Sequence, residues 1–202
     1  MKRNINKKLI LKSATIGVVL ILLLLTIYLF VMPRKSVNYN YEIEIIPSGD
    51  GSYNLFVPVP ITEDDSISQI FGELRIISGN ASFSTTHSTH GYAINITANG
   101  PVILRISGND PEKAPIDAQQ KQGIYLSMAT DNFTMGKKGH FWVWCNAPDN
   151  IQQIEIHIDF SLVYISDSIV GTIASSYKEY GNGVVDNGWN LIEGYKEGVA
   201  AG

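Results

Sequence analysis

The sequence predicts an all-β domain, a two-sheet antiparallel sandwich of immunoglobulin-like or jelly-roll-like topology, preceded by one transmembrane helix. Three observations carry that expectation. Beyond residue 40 the apolar residues recur with period two in run after run. Gly, Asn and Asp clusters punctuate those runs at the spacing of short strands. Ahead of them, Ala14–Met32 is an uncharged apolar stretch closed by Pro33. At about 1.5 Å per helical residue, that stretch matches the roughly 30 Å hydrocarbon core of a bilayer.

Charge gives the expected orientation. Lys2, Arg3, Lys7, Lys8 and Lys12 precede the apolar run, Arg34 and Lys35 follow it, and the first acid is Glu42. The basic excess on the N-terminal side keeps that side cytoplasmic and exports the rest. The competing reading, a cleaved signal peptide, is disfavoured because the run is long and no small-x-small site follows it. The expected layout is a cytoplasmic stub at 1–13, a signal anchor at 14–33, a juxtamembrane linker at 34–40 and an extracellular β domain at 41–202. The expected location is the cell membrane, as a single-pass protein held there through residues 14–33.

All 19 acids lie beyond residue 35, together with 8 of the 15 Lys and Arg residues, a net charge of −11 for the exported part. Such a surface repels nucleic acid and anionic headgroups, so no nucleic-acid partner is expected. Cys145 is the one cysteine. It permits no internal disulfide, and it shares the parity of Phe141 and Val143, which makes it a small buried hydrophobe. The sequons at Asn80, Asn95 and Asn132 all fall on the exported side, as a glycoprotein requires.

The elements follow in order. Tyr41, Ile43 and Ile45 alternate with Glu42 and Glu44; after a turn at 47–51, Tyr53, Leu55, Val57 and Val59 repeat the pattern. Pro58 and Pro60 point to an edge strand, since proline cannot donate to a ladder. A turn at 62–65 leads to a strand over 70–77. Strands over 81–86 and 91–98 form a hairpin around His87–His90, with Asn95 facing outward, and Val102, Leu104 and Ile106 continue the set. Residues 107–123 break the rhythm; Pro115, Asp117, Lys121 and Gly123 have the order of a short capped helix. Strands resume at 124–129 and 141–145. Residues 151–165 alternate over a length that predicts a bulge or a crossing between sheets. Shorter strands at 169–177, 184–185 and 189–195 are separated by Gly-Asn-Gly and Asp-Asn-Gly turns.

Four groups could carry chemistry. His87 and His90 could meet at a metal, but odd spacing on a strand separates them, and a polar loop tip is the favoured reading. Glu155, His157 and Asp159 share a strand face, yet alternate side chains stand nearly 7 Å apart. They would need help from Glu42, Glu44 or His140, and a solvated face is preferred. Acid-rich turns at Asp50, Glu63–Asp65 and Asn182–Asp186 offer oxygen ligands without the spacing of a calcium loop, so no cofactor is expected and weak calcium binding is the alternative. Trp142 and Trp144 share a face opposite Phe141 and Val143; they are either covered, which is the favoured reading, or a platform for sugar rings or an apolar partner. Trp189 and Tyr195, with Tyr177 and Tyr180, form a second aromatic group.

No nucleophile elbow, phosphate-cradling loop or supported Cys–His pair occurs. The expected function is therefore a non-enzymatic binding or interaction module of the cell envelope, with a glycan or protein partner. The alternatives are a structural or accessory subunit of a surface assembly and, behind it, a surface hydrolase.

Overall fold

The computed structural model describes residues 17–28, 34–62, 64–110, 124–130, 134–168 and 171–201. Residues 17–28 are helical and their apolar side chains are exposed. No helix among the described residues is long and apolar enough to cross a membrane. The rest of the expected span, residues 14–16 and 29–33, lies outside the described residues. So do the expected short helix at 115–123 and the sequon residue Asn132.

The remainder is antiparallel β structure. Ten strands are described: β1 (Arg34–Pro47), β2 (Ser52–Pro58), β3 (Pro60–Thr62), β4 (Arg75–Ser88), β5 (Gly91–Asn109), β6 (Ile124–Leu126), β7 (Lys138–Asn146), β8 (Ile154–Ser168), β9 (Gly171–Val185) and β10 (Gly188–Ala201). The division into sheets differs from the expected one. Eight strands form one sheet in the order β1-β8-β9-β10-β7-β2-β5-β4, and the second sheet is only β3 with β6. A further pairing of β1 with β5 joins the large sheet to itself. Seven strands thus make a closed hydrogen-bonded circuit, and β4 lies outside it on the far side of β5.

Alternation explains what fills the circuit. Val37, Tyr39, Tyr41, Ile43 and Ile45 of β1 are buried, as are Ile154, Ile156, Ile158, Phe160, Leu162 and Tyr164 of β8. Tyr53, Leu55, Val57, Ile96, Leu104, Phe141, Val143 and Cys145 join them in one core cluster. Burial pushes the Cys145 thiol up to about 11, so it is a packing group with little thiolate character.

Several expectations are corrected by how the strands pair. Residues 34–40 are not a linker; they are the first half of β1 and pair with β8 from Arg34 opposite Asp167 onward. The expected edge strand, β2, lies between β5 and β7; β7 pairs only with residues 54–56, so Pro58 falls beyond that ladder. Residues 69–73 form a 3-10 turn before β4 begins at Arg75, because Ile70 is drawn into the core. The strands expected at 91–98 and 102–106 are one strand, β5, with Gly100 at φ +76° absorbing the irregularity. β8 carries no bulge: its register with β1 and β9 is unbroken.

The glycines of the tail mislead in an instructive way. Gly181 and Gly183 lie in the middle of β9 instead of a turn. A Cβ on Gly181 would come within 3.0 Å of the Phe141 ring, and one on Gly183 within 2.7 Å of the Ile192 side chain. Their lack of a side chain lets neighbouring core residues approach the strand. The Asp186–Gly188 segment does turn, with Gly188 at φ +103°.

Candidate functional site

Trp142 and Trp144 are neither fully covered nor fully open. Because Phe141, Val143 and Cys145 face inward, Trp142 and Trp144 stand on the outer face of β7. Phe56, between the buried Leu55 and Val57, is likewise outward on β2, and Trp189 and Leu191 are outward on β10. The register aligns them: Phe56 opposes Trp144, Trp144 opposes Trp189, and Trp142 opposes Leu191. Neighbouring rings touch, with centroids 4.7 Å apart for Phe56–Trp144 and 6.5 Å for Trp142–Trp189.

His90 completes the group. The β4–β5 turn lays its ring flat on Trp142, 4.2 Å away at 12°, with its edge toward Trp189 at 4.5 Å. Phe56, Trp142, Trp144 and His90 are half-buried by one another, while Trp189 and Leu191 keep 37% and 48% exposure. The chain order missed Phe56 and Leu191; their outward parity was readable, but their neighbours depended on strand pairing.

The strand directions also place the patch. β1 starts at Arg34 beside Asp167 of β8 and Thr172 of β9, and β10 ends nearby with Ala201 opposite Ala174. Trp189 is at the other end of β10, about 40 Å of extended strand away. The aromatic group therefore sits toward the end opposite the one where β1 begins.

Other expected members do not join it. Tyr195 packs on Tyr180 at 5.5 Å, some six residues along β10 from Trp189. His87 meets Tyr92 edge-on, so His87 and His90 do not converge. Asn95 faces outward as expected but is only partly exposed; it lies between Phe56 and Ser84 on the flanking strands, and its carboxamide oxygen is buried without a hydrogen-bond partner. Asn80 is exposed on β4.

The second candidate face is better assembled than its sequence promised. β1 sets Glu44 opposite His157 and Glu42 opposite Asp159. With Lys178, Tyr180 and Asn182 they line a shallow depression of about 300 Å³. Three of these side chains have partners: Glu42 pairs with Arg105, Asp159 with Lys178 at 2.8 Å, and His157 meets the neighbouring Glu155 at 3.0 Å. His140 is elsewhere, opposite Glu193. Among the described residues no three His, Cys, Asp or Glu side chains are grouped to hold a metal ion. In the turn at 62–66, the Asp64 carboxylate accepts bonds from Thr62 and Ser66, which hold it below the usual carboxylate range. Asn182 lies within β9, so it forms no loop with Asp186.

The reading of the residues missed a buried ionic cluster inside the circuit. Glu179 is fully buried and Lys196 nearly so, with Nζ and Oε1 2.6 Å apart. Tyr177 donates its hydroxyl to the same carboxylate, and the Leu126 backbone N–H donates to Oε2 at 2.5 Å. Lys196 Nζ also lies 5.6 Å from the Tyr177 ring centroid and 5.8 Å from that of Tyr125. Burial holds the Glu179 carboxyl above its ordinary range, against the opposing pull of Lys196 and the two donors. The cluster ties β6, and with it the small sheet, to the wall formed by β9 and β10.

No family model, curated protein or solved structure matches this chain.

Proposed function

We propose that the protein is a membrane-anchored, non-enzymatic binding module of the cell envelope, and that Phe56, Trp142, Trp144 and Trp189 form its contact surface. The anchor is the apolar run at 14–33, oriented with its N-terminus in the cytoplasm and the β domain outside. The observation that supports the reading is the open aromatic face, aligned across β2, β7 and β10 at the end of the domain remote from the start of β1. A patch so placed reaches away from the anchor's membrane.

Flat rings suit the C–H faces of a sugar, and Asn54 and Asn146, paired across β2 and β7 two positions from Phe56 and Trp144, offer amides for hydroxyl contacts. An envelope glycan is the ligand class this combination fits. The net charge of −11 beyond residue 35 selects against acidic polymers, so a neutral or basic glycan is favoured. A second reading, a structural subunit that associates with its own kind, draws support from the open edge of β4.

The test is retention of the full-length protein, in detergent, on purified envelope polysaccharide. Trp189→Ala and Trp144→Ala together should weaken retention about tenfold or more, the usual effect of removing central aromatic contacts. Tyr180→Ala, on β9, should leave it unchanged. Equal retention of the Trp variant and the parent would refute the aromatic face as the contact surface.

A further inference from the structure

We propose that the free edge of β4 is a homotypic docking strand, on which a second copy of this chain adds its own β4 in antiparallel register. β4 terminates the large sheet: β5 occupies one of its edges, and among the described residues no strand pairs with the other. The strand is exposed along most of its length. Such an edge carries unpaired N–H and C=O groups, which proteins ordinarily guard with charge, proline or bulges.

β4 is guarded over only half its length. The register with β5 shifts between Ile76 and Ser78 and again between Ser78 and Asn80, around Gly79 at φ +88°. From Asn80 to Ser88 the register is regular. That stretch contains no acid, Lys, Arg or Pro. Two copies that each carry −11 beyond residue 35 repel over most of their surfaces, whereas an uncharged strip lets their backbones approach.

The geometry of the hairpin gives the register. Ser88 and Gly91 close a two-residue turn, so Ser88, Thr86, Ser84 and Ser82 direct their backbone groups at β5. Ala81, Phe83, Thr85 and His87 direct theirs at the free edge. An antiparallel copy related by a two-fold axis at Ser84 pairs Phe83 with Thr85 and Ala81 with His87, which satisfies every outward group in the strip. The free edge is its own complement, and this commits the occupant to a second copy.

In that arrangement Ser84 faces Ser84 as a non-hydrogen-bonded pair, with Cα atoms about 4.5 Å apart, inside disulfide range. One strand pair buries less than a standard interface, so the complex is best trapped covalently. The experiment is mild oxidation of full-length protein in detergent micelles, followed by non-reducing electrophoresis; the native Cys145 is buried and silent. Ser84→Cys should give at least ten times more disulfide-linked dimer than Ser82→Cys or Thr86→Cys alone. A mixture of the Ser82→Cys and Thr86→Cys proteins, which this register brings opposite each other, should cross-link. Adding Thr85→Pro to Ser84→Cys should abolish the dimer while leaving the circular dichroism of the β domain intact, because the Thr85 N–H does not serve β5. Equal yields from Ser82→Cys and Ser84→Cys, no dimer from Ser84→Cys, or a dimer that survives Thr85→Pro would each overturn the proposal.

Discussion

Lys196→Met is expected to lower the stability of the β domain by about 3–5 kcal/mol, since it leaves a fully buried carboxylate without its counter-charge. Glu179→Leu should cost a similar amount, because Lys196, Tyr177 and the Leu126 N–H all lose the same acceptor. The double variant should recover most of the loss, as apolar replacement of a whole buried pair usually does. The pH dependence of Lys196→Met has a definite sign. Burial already raises the Glu179 carboxyl, and losing Lys196 removes an influence that lowers it. A carboxyl raised in the fold favours its protonated form, so its contribution is fully present below the unfolded value of about 4.3 and is lost as pH rises through the folded value. The gap between variant and parent should therefore be smaller at pH 4.5 than at pH 8, read by thermal unfolding. A pH-independent gap would mean that Glu179 in the variant finds another partner or water.

The second large effect is expected at Phe160→Ala. Phe160 is fully buried on β8 and lies edge-to-face with two rings, Tyr41 at 6.3 Å and Tyr177 at 6.2 Å. Tyr177 in turn bonds Glu179, so this ring supports the ionic cluster as well as the core. Truncation should cost about 3–5 kcal/mol, the range for removing a buried aromatic side chain. In a domain of this size that lowers the unfolding temperature by roughly 10 °C. Val163→Ala, three residues along but outward and partly exposed, should stay within about 0.5 kcal/mol of the parent. Comparable losses at both positions would contradict the assignment of the inward face.

Much of the β structure was legible because period two is a local property. The inward residues of β8 are the ones its alternation marks, and Tyr53, Leu55 and Val57 are buried as theirs implies. What was hidden depends on which strands meet. The two-sheet sandwich gave way to a joined circuit because the pairing of β1 with β5 leaves no mark on either strand alone. Gly181 and Gly183 imitate a turn, and only the approach of Phe141 and Ile192 explains them.

The candidate site divides along the same line. The shared face of Trp142 and Trp144 follows from parity, but the addition of Phe56, Trp189 and His90 required the cross-strand register and the folded-over β4–β5 turn. Glu179 offered one overlooked signal: it has the parity of the buried Tyr177 and Val185, which placed a charge on the inward face.

The central claim is that the aromatic face is occupied where the protein works. Hydroxyl-radical footprinting of intact cells against the purified full-length protein measures this directly, with Trp189 oxidation as the readout and the exposed Tyr180 as reference. Trp189 should be protected several-fold on cells while Tyr180 reacts to the same extent in both. Equal oxidation of Trp189 in the two settings would contradict the claim.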